Sequence, residues 1–472
     1  MKKKMALLLA GMMVLSLVGC GESQSGQDVQ EASQAEEGED AVATQEEAGG
    51  GETEDSGENQ TGQSSEENAG ETDDQYYYVN GKAPEEVTGN ILFWSWDPNF
   101  FDMVEKMNDI YPNVTFDFVT VASADDYMQK LQAALTSGSE VPDILAMEIN
   151  YVGKFYEMGI AEDLEQHEID KDLLIPYLAD IGTDDDGTFI GIPNTAAPGG
   201  LFYRRDLAKE YLGTDDPEEI SAMMTDWDSF IEVGQKIKEA SGGAVSMIPG
   251  IDTLVQPLVN QTGLRWREDN KLMVEENFTD TIQLMMKIRD AEIDAGLDVW
   301  TPAWNASFGQ GNVFCCPGSC WFQSYVIEPN DPEGSGNWGV ATVPGGSYNW
   351  GGIWWGMYNQ SENKDAVAAW MKYELTKEGA QNKYDLIHFY PGVKTAYEDD
   401  YLNKPNEFFA GQNVTELYLK EMDEMTVLRP IADDALFYNS MTFFAQSLEG
   451  SAEEIADKIE DDIISSNPQY TK

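Results

Sequence analysis

Ile91-Leu92-Phe93-Trp94 is a short apolar run with an aromatic end, and Ser95-Trp96-Asp97-Pro98-Asn99 follows at once. Together they read as a strand running into a loop. Phe100, Val104, Met107 and Tyr111 then recur at helical spacing until Pro112 stops the helix. Val114, Phe116 and Phe118 alternate with polar residues as a half-buried strand requires. Ser123 is placed to cap a helix that carries Tyr127, Leu131 and Leu135 on one face, with Gly138 just past its end. Pro142-Asp143-Ile144-Leu145-Ala146-Met147 supplies a third strand. Strand, helix, strand, helix, strand is the signature of an α/β fold with a largely parallel sheet. Ligands of such sheets sit at the carboxyl ends of the strands, which points to Trp96, Asp97 and Asn99 after the first strand and to Glu148 and Asn150 after the third.

Upstream, Met1-Lys2-Lys3-Lys4 precedes an apolar run from Met5 to Val18, and Leu17-Val18-Gly19-Cys20 closes it. A basic start, an apolar run too short for a permanent span and small residues before a single cysteine describe a signal peptide over residues 1–19. The ending resembles a bacterial lipobox, which implies cleavage before Cys20 and acylation of that residue. More than one acyl chain gives a stable anchor, because each buried methylene adds roughly 0.8 kcal/mol. From Gly21 to Tyr78 there are 18 Asp and Glu, no Lys or Arg, and few apolar residues. Such a segment cannot bury a core and stays solvated, so residues 20–83 are expected to be a lipidated, disordered acidic tether.

The whole chain of 472 residues carries 28 basic and 86 acidic residues, a formal charge of −58. That surface repels phosphate backbones, so a nucleic-acid partner is not expected. No later stretch is apolar for long enough to span a bilayer, which leaves the lipid as the expected membrane attachment. The stretch from Pro84 to Lys472 is long enough for two domains.

Phe93 to Leu164 resembles the N-terminal part of the family 1 extracellular sugar-binding proteins of ABC importers. The likeness rests on Phe93-Trp94-Ser95-Trp96, Tyr111-Pro112-Asn113-Val114, Asp126-Tyr127 with Lys130-Leu131, Ser137-Gly138 before Pro142-Asp143-Ile144, and Gly159-Ile160-Ala161-Glu162-Asp163-Leu164. It continues through Gly187-Thr188-Phe189-Ile190-Gly191-Ile192-Pro193, Leu201-Phe202-Tyr203-Arg204-Arg205-Asp206-Leu207 and Thr225-Asp226-Trp227-Asp228-Ser229-Phe230. Trp338-Gly339-Val340-Ala341, Val343-Pro344-Gly345-Gly346 and Asn363-Lys364-Asp365-Ala366 complete it. The resemblance implies a two-lobed periplasmic-binding-protein-like α/β fold with the ligand clamped between lobes joined by several crossings. It places lobe 1 at 84–196 plus 345–396 and lobe 2 at 197–344 plus 397–472. It further implies a monomeric receptor, outside the cytoplasm and held to the cell membrane by its lipid. Such a receptor hands a carbohydrate, an oligosaccharide on this reading, to the permease subunits of an ABC transporter without turnover and without a cofactor.

Sugars present hydroxyls at their edges and C–H patches on their faces, so a site for them needs carboxylates or amides beside flat aromatic rings. Trp96, Asp97, Glu148 and Asn150 are the candidates from the first lobe. From the second lobe the family pattern points to Trp321, with Trp304 just before that segment and Phe437, beside Tyr438, as a further cleft aromatic. Trp350, Trp354 and Trp355 crowd the region after the crossing at Pro344, and one of them is expected at the site. Trp94, Trp227 and Trp370 read as core, since they lie inside a strand or helical patterns. The crossing Asn194 to Gly200 departs from the family's more polar run, and no ligand contact is carried onto it.

Cys315, Cys316 and Cys320 lack a fourth ligand nearby for zinc, with both His167 and His388 distant in sequence. Small buried thiols are the plainest reading, and a disulfide through Cys320 is the alternative. Asp184-Asp185-Asp186-Gly187 lacks the later ligands of a calcium loop and reads as a solvated turn. Nucleophile motifs, a phosphate loop and HExxH are absent from the sequence. Beside the sugar receptor stand two other readings, a receptor for another polar solute such as a polyamine or peptide, and a surface-anchored carbohydrate-active enzyme.

Overall fold

The computed structural model describes residues 74–97, 104 and 106–472. Cys20 lies outside the described residues, as do Asn99, Phe100 and most of the acidic tether. Ten strands follow in chain order: β1 Gly89–Ser95, β2 Val114–Thr120, β3 Ile144–Glu148, β4 Ile192–Pro193, β5 Gly199–Arg204, β6 Arg267–Glu268, β7 Lys271–Leu272, β8 Cys315–Ser319, β9 Trp338–Ala341 and β10 Ile353–Met357. Five of them form a sheet in the order β2-β1-β3-β10-β4 and three form another in the order β8-β5-β9, while β6 and β7 make a small hairpin.

The first sheet begins as the sequence predicts, with β1 parallel to β2 and β3. Helix Ala124–Ser137 lies between β2 and β3, capped by Ser123 Oγ, which accepts from Asp126 N at 3.1 Å, and ended by Gly138 at φ +69°. The expected helix before Pro112 is, among the described residues, the 3-10 turn Lys106–Asp109, with Met107 and Tyr111 buried. A largely parallel arrangement holds only in part, because β10 runs antiparallel to β3 and β4 and every pairing in the second sheet is antiparallel. The register explains β10: its first residue, Ile353, lies opposite Glu148, the last residue of β3. The chain therefore enters β10 at the carboxyl end of the parallel strands and runs back. A strand that starts at that end can only run antiparallel to them.

Three segments pass side by side between the two sheets. Ala196 bridges to Tyr390 and Pro198 to Asn349, both antiparallel. Asn194 N donates to Ile353 O, and Ile353 N returns a bond to Asn194 Oδ1, each 2.9 Å.

Residues 74–83, which the sequence assigns to the expected tether, pack against the rest of the fold. Asp74–Tyr77 forms a 3-10 turn, Tyr76 Oη donates to Lys372 O at 3.1 Å, and buried Lys372 Nζ donates to Tyr78 O at 2.8 Å. Tyr111 Oη donates to Tyr77 O at 2.9 Å. Three consecutive tyrosines supply the apolar surface that the acidic stretch before them lacks, which is enough to dock this end of the chain. Among the described residues no helix is long and apolar enough to cross a membrane.

Candidate functional site

A cavity of about 580 Å³ opens where the carboxyl ends of β1 and β3 face the elements flanking the second sheet, a size usual for a small-molecule site. One wall carries Trp96 and Asp97 after β1, Asp125 and Tyr151 on two helices, and Glu148 and Asn150 after β3. The crossings contribute Asn194, Thr195 and the run Trp350 to Ile353. Opposite stand Asp252, Gln256, Trp300, Trp321 and Tyr325, with Tyr438 and Asn439 from helix Asp434–Ala445.

Glu148 is both the last residue of β3 and the N-cap of helix Ile149–Met158, where its Oε2 accepts from Asn150 N at 2.9 Å. That role fixes the carboxyl at the foot of the cavity. Burial pushes it up to about 8, with Asp125 and Asp434 adding to the rise and the Asn150 N–H bond opposing it. Asp252 is also raised by burial, and bonds from Val299 N at 2.9 Å and Gln446 Nε2 at 3.3 Å oppose the rise. Asp97 is buried beside Ser95, whose Oγ accepts from Asp97 N at 3.1 Å. Among the described residues the carboxyl and basic side chains lining this cavity are thus all acids: Asp97, Asp125, Glu148 and Asp252.

Aromatic rings dominate the opposite side. Trp300 and Trp321 are near-parallel, centroids 6.2 Å apart at 22°, while Trp350 stands edgewise to Trp321 at 5.2 Å and 74°. Trp321 Nε1 donates to Trp350 O at 2.8 Å, which sets the plane of its ring. Gly351 makes that approach possible: it sits at φ +87°, and a Cβ there would meet Trp321 Nε1 at 2.9 Å. Trp300 is 47% exposed and lies at φ +66°, a strained conformation for so large a side chain. Thr301 caps the next helix, Pro302–Gln310, and this leaves Trp300 outside the helix, where it lines the cavity.

Of the residues expected at the site, Trp96, Asp97, Glu148, Asn150, Trp321 and Trp350 are brought together around this cavity. Four are placed elsewhere. Trp304 is fully buried, edge-on to Phe308 and Phe322, because the Thr301 cap turns it inward at the helix start. Trp354 and Trp355 lie in β10, buried on its two faces, Trp354 donating to Leu178 O at 3.0 Å and Trp355 packing on Phe93 and Trp370. Phe437 stacks on Trp266 at 5.8 Å and 4°, and its neighbour Tyr438 takes the cavity position instead. Sequence reasoning missed Trp300, Tyr325, Tyr151, Asp125, Asp252 and Asn439, and it left Asn194 and Thr195 without a role although both line the cavity. For Trp300 a signal existed, since a residue just before Thr-Pro sits ahead of a helix cap.

Cys315, Cys316 and Cys320 are buried free thiols, all raised by burial. Asp184 accepts from Asp186 N at 3.0 Å and Thr188 N at 2.8 Å in a self-contained turn. Among the described residues no group of three or more His, Cys, Asp or Glu is arranged to hold a metal.

Two sheets are joined by three adjacent crossings, and a ring-lined cavity of small-molecule size opens beside them. The chain belongs to the bacterial extracellular solute-binding protein family, whose profile matches residues 100–410. It is 25% identical over 386 residues to the lactose-binding protein of Rhizobium radiobacter, covering 75% of this chain and 86% of that protein. It is 23% identical over 359 residues to the arabinooligosaccharide-binding protein of Halalkalibacterium halodurans, covering 71% and 79%. A solved extracellular solute-binding protein of family 1 superposes with a TM-score of 0.68 at 21% identity, over 80% of this chain and 99% of that one. The two-lobed fold of those proteins is this chain's fold.

Proposed function

We propose that the protein is the carbohydrate receptor of an ABC importer: it encloses a sugar in the cavity and presents it to the permease subunits, without turnover. The observation that carries this reading is the cluster of indoles Trp300, Trp321 and Trp350, with Trp300 exposed, lining a cavity of about 580 Å³ together with carboxyl and amide groups. Flat rings suit the C–H face of a pyranose, and the carboxyl and amide groups of Glu148, Asn150, Asp97 and Gln256 in the same lining are of the chemistry that its hydroxyls require. The lactose-binding and arabinooligosaccharide-binding relatives support the same class of ligand.

The lobes on this reading are 84–196 plus 345–396 and 197–344 plus 397–472, a partition that leaves each of the two larger sheets whole. Trp96, Asp97, Glu148, Asn150, Trp321 and Trp350 are the proposed contacts, joined by Trp300. Cys20 is the proposed lipid attachment, with the acidic segment as tether to the outer face of the cell membrane.

The acid-only charged lining favours a second reading, a cationic solute such as a polyamine. The ring geometry argues against an aromatic cage for it. A cation held over ring faces within about 6 Å of each centroid needs walls standing well apart. Here Trp300 and Trp321 each lie 5.2–6.4 Å, centroid to centroid, from each other, from Trp350 and from Tyr325, so these rings pack on one another and leave no cation-sized gap between them.

A thermal-shift screen over mono- and oligosaccharides and polyamines tests both readings, because a ligand that binds only the folded form raises the melting temperature. A shift with saccharides and no product on chromatography supports the receptor. A shift with polyamines alone overturns it in favour of the second reading, and release of product overturns it in favour of an enzyme.

A further inference from the structure

The segment that joins helix Val414–Glu424 to helix Asp434–Ala445 lies as a strap across helix Ile149–Met158. Its backbone meets Gly153: a Cβ at that position would stand 2.2 Å from Ile431 C and 2.5 Å from Ala432 N. Gly153 is inside a helix, where glycine is a poor choice against alanine, and its φ is not in the left-handed region. The close approach is what the missing side chain serves. One turn on, Arg429 of the strap sets its guanidinium 4.7 Å from the centroid of the Tyr156 ring, donates to Thr183 O and pairs with Asp185 at 3.3 Å. Asn150, Gly153 and Tyr156 follow at intervals of three residues on one helix face, so the face that starts at the cavity continues beneath the strap.

The strap itself is held from the other side. Arg267 Nη2 donates to Ala432 O at 3.1 Å, Arg265 Nη1 donates to Arg429 O, and the Asp434 carboxyl accepts from Trp266 Nε1 at 2.6 Å and Ile431 N at 2.9 Å. On the proposed division the strap and its holders are lobe 2, whereas helix Ile149–Met158 and Thr183 to Asp185 are lobe 1. The contact therefore bridges the lobes, and no part of it is one of the three crossings. Resting on the receptor reading and its lobe division, we infer that Gly153 and Arg429 form a latch, which the strap makes on lobe 1 when the cleft shuts and breaks when it opens. The latch positions the cavity walls without touching the ligand. Neither residue lines the cavity, but Glu148 and Asn150 stand at the start of the helix beneath the strap, and Tyr438 and Asn439 stand on the helix that follows it. The affinity observed is that of the shut form scaled by how readily that form is reached, so the latch sets affinity for every ligand by one common factor.

Gly153→Ala in the full chain separates a latch from permanent packing. Alanine is the better helix former, so if the unliganded cleft is open the unliganded melting temperature holds within about 1 °C or rises. The added methyl keeps the strap off the helix, so calorimetric titration with lactose and with arabinan oligosaccharides should show each binder weakened by about tenfold or more, and all by the same factor. Arg429→Met should weaken the same ligands by about fivefold, again uniformly and with faster dissociation. A Gly153→Ala melting temperature that falls by several degrees makes the contact permanent and overturns the latch while the receptor reading stands. Affinity that stays within about threefold, or that falls for some saccharides and not for others, overturns it equally. If spermidine binds and no saccharide does, the carbohydrate reading falls and the latch is decided by the same loss measured with spermidine. If the wild-type chain melts cooperatively and binds neither, the receptor reading falls and takes the latch with it.

Discussion

Trp300 and Trp304 lie 5.1 Å apart, yet one is 47% exposed and the other fully buried, so truncating each to alanine should produce opposite phenotypes. A tryptophan side chain offers up to about 250 Å², so roughly 120 Å² of Trp300 is open, and a pyranose covering about half of it, near 60 Å², removes apolar area worth about 1.5 kcal/mol. Ring stacking adds about 0.5–1.5 kcal/mol. Together these predict that Trp300→Ala weakens saccharide binding by about 30- to 150-fold. Trp304→Ala instead opens a core cavity at about 3–5 kcal/mol. With an unfolding entropy near 2.1 cal/mol/K per residue over roughly 390 folded residues, that lowers the unliganded melting temperature by about 4–6 °C. Affinity per folded molecule should stay within threefold of wild type. Trp300→Gly separates platform from strain: it should bind as poorly as the alanine variant yet melt about 1 °C higher, since glycine relieves a left-handed backbone costing about 1 kcal/mol. Calorimetric titration and scanning calorimetry on the variants give both readouts. If Trp300→Ala binds within threefold of wild type, or Trp304→Ala loses affinity without melting earlier, the platform is misplaced.

Glu148 sits above its ordinary 4.5, at about 8, so its neutral form contributes stability that is full below 4.5 and lost as pH rises through about 8. The melting temperature of Glu148→Gln relative to wild type should therefore climb between pH 5 and 9, and a flat difference would show that the carboxyl is not desolvated. Because the charged lining is all acid, a uronate counterpart of any bound neutral saccharide should bind at least tenfold more weakly in titration; equal affinity would mean that the acids do not face the ligand. Cys20→Ala should move the protein from the membrane fraction to the soluble fraction, and retention after a high-salt wash would exclude the lipid as its anchor.

The first sheet was readable because each local rule agreed with the fold. The apolar run Ile91 to Trp94 passes into a loop at Asp97, Ser123 caps the helix after β2, and Gly138 ends it, as the structure has them. What sequence periodicity left open is the arrival of β10 from more than 200 residues downstream of β3. Strand direction there depends on which end of the sheet the chain enters, and that is a property of the crossings rather than of residues 353–357. The same holds for the second sheet. Its three short strands, Gly199–Arg204, Cys315–Ser319 and Trp338–Ala341, come from distant parts of the chain, and nothing within each strand states its partner.

The site was half legible for a related reason. Strand ends announce themselves, so the sequence points to Trp96, Asp97, Glu148 and Asn150, which line the cavity. Tryptophans do not, because a large ring suits a core and a sugar platform equally well. What separates them is local backbone. Ile353-Trp354-Trp355-Gly356-Met357 is a continuous apolar run, and a strand buried on both faces leaves neither tryptophan free. Trp350 precedes Gly351 and Gly352, both at positive φ, and so belongs to a loop that the strand cannot absorb. Trp300 precedes a Thr-Pro helix start and Trp304 follows it, and the cap decides which ring turns inward. Among the tryptophans, those that a turn or cap withholds from the regular element beside them, Trp300, Trp321 and Trp350, line the cavity, while Trp304, Trp354 and Trp355, held within a helix or strand, do not.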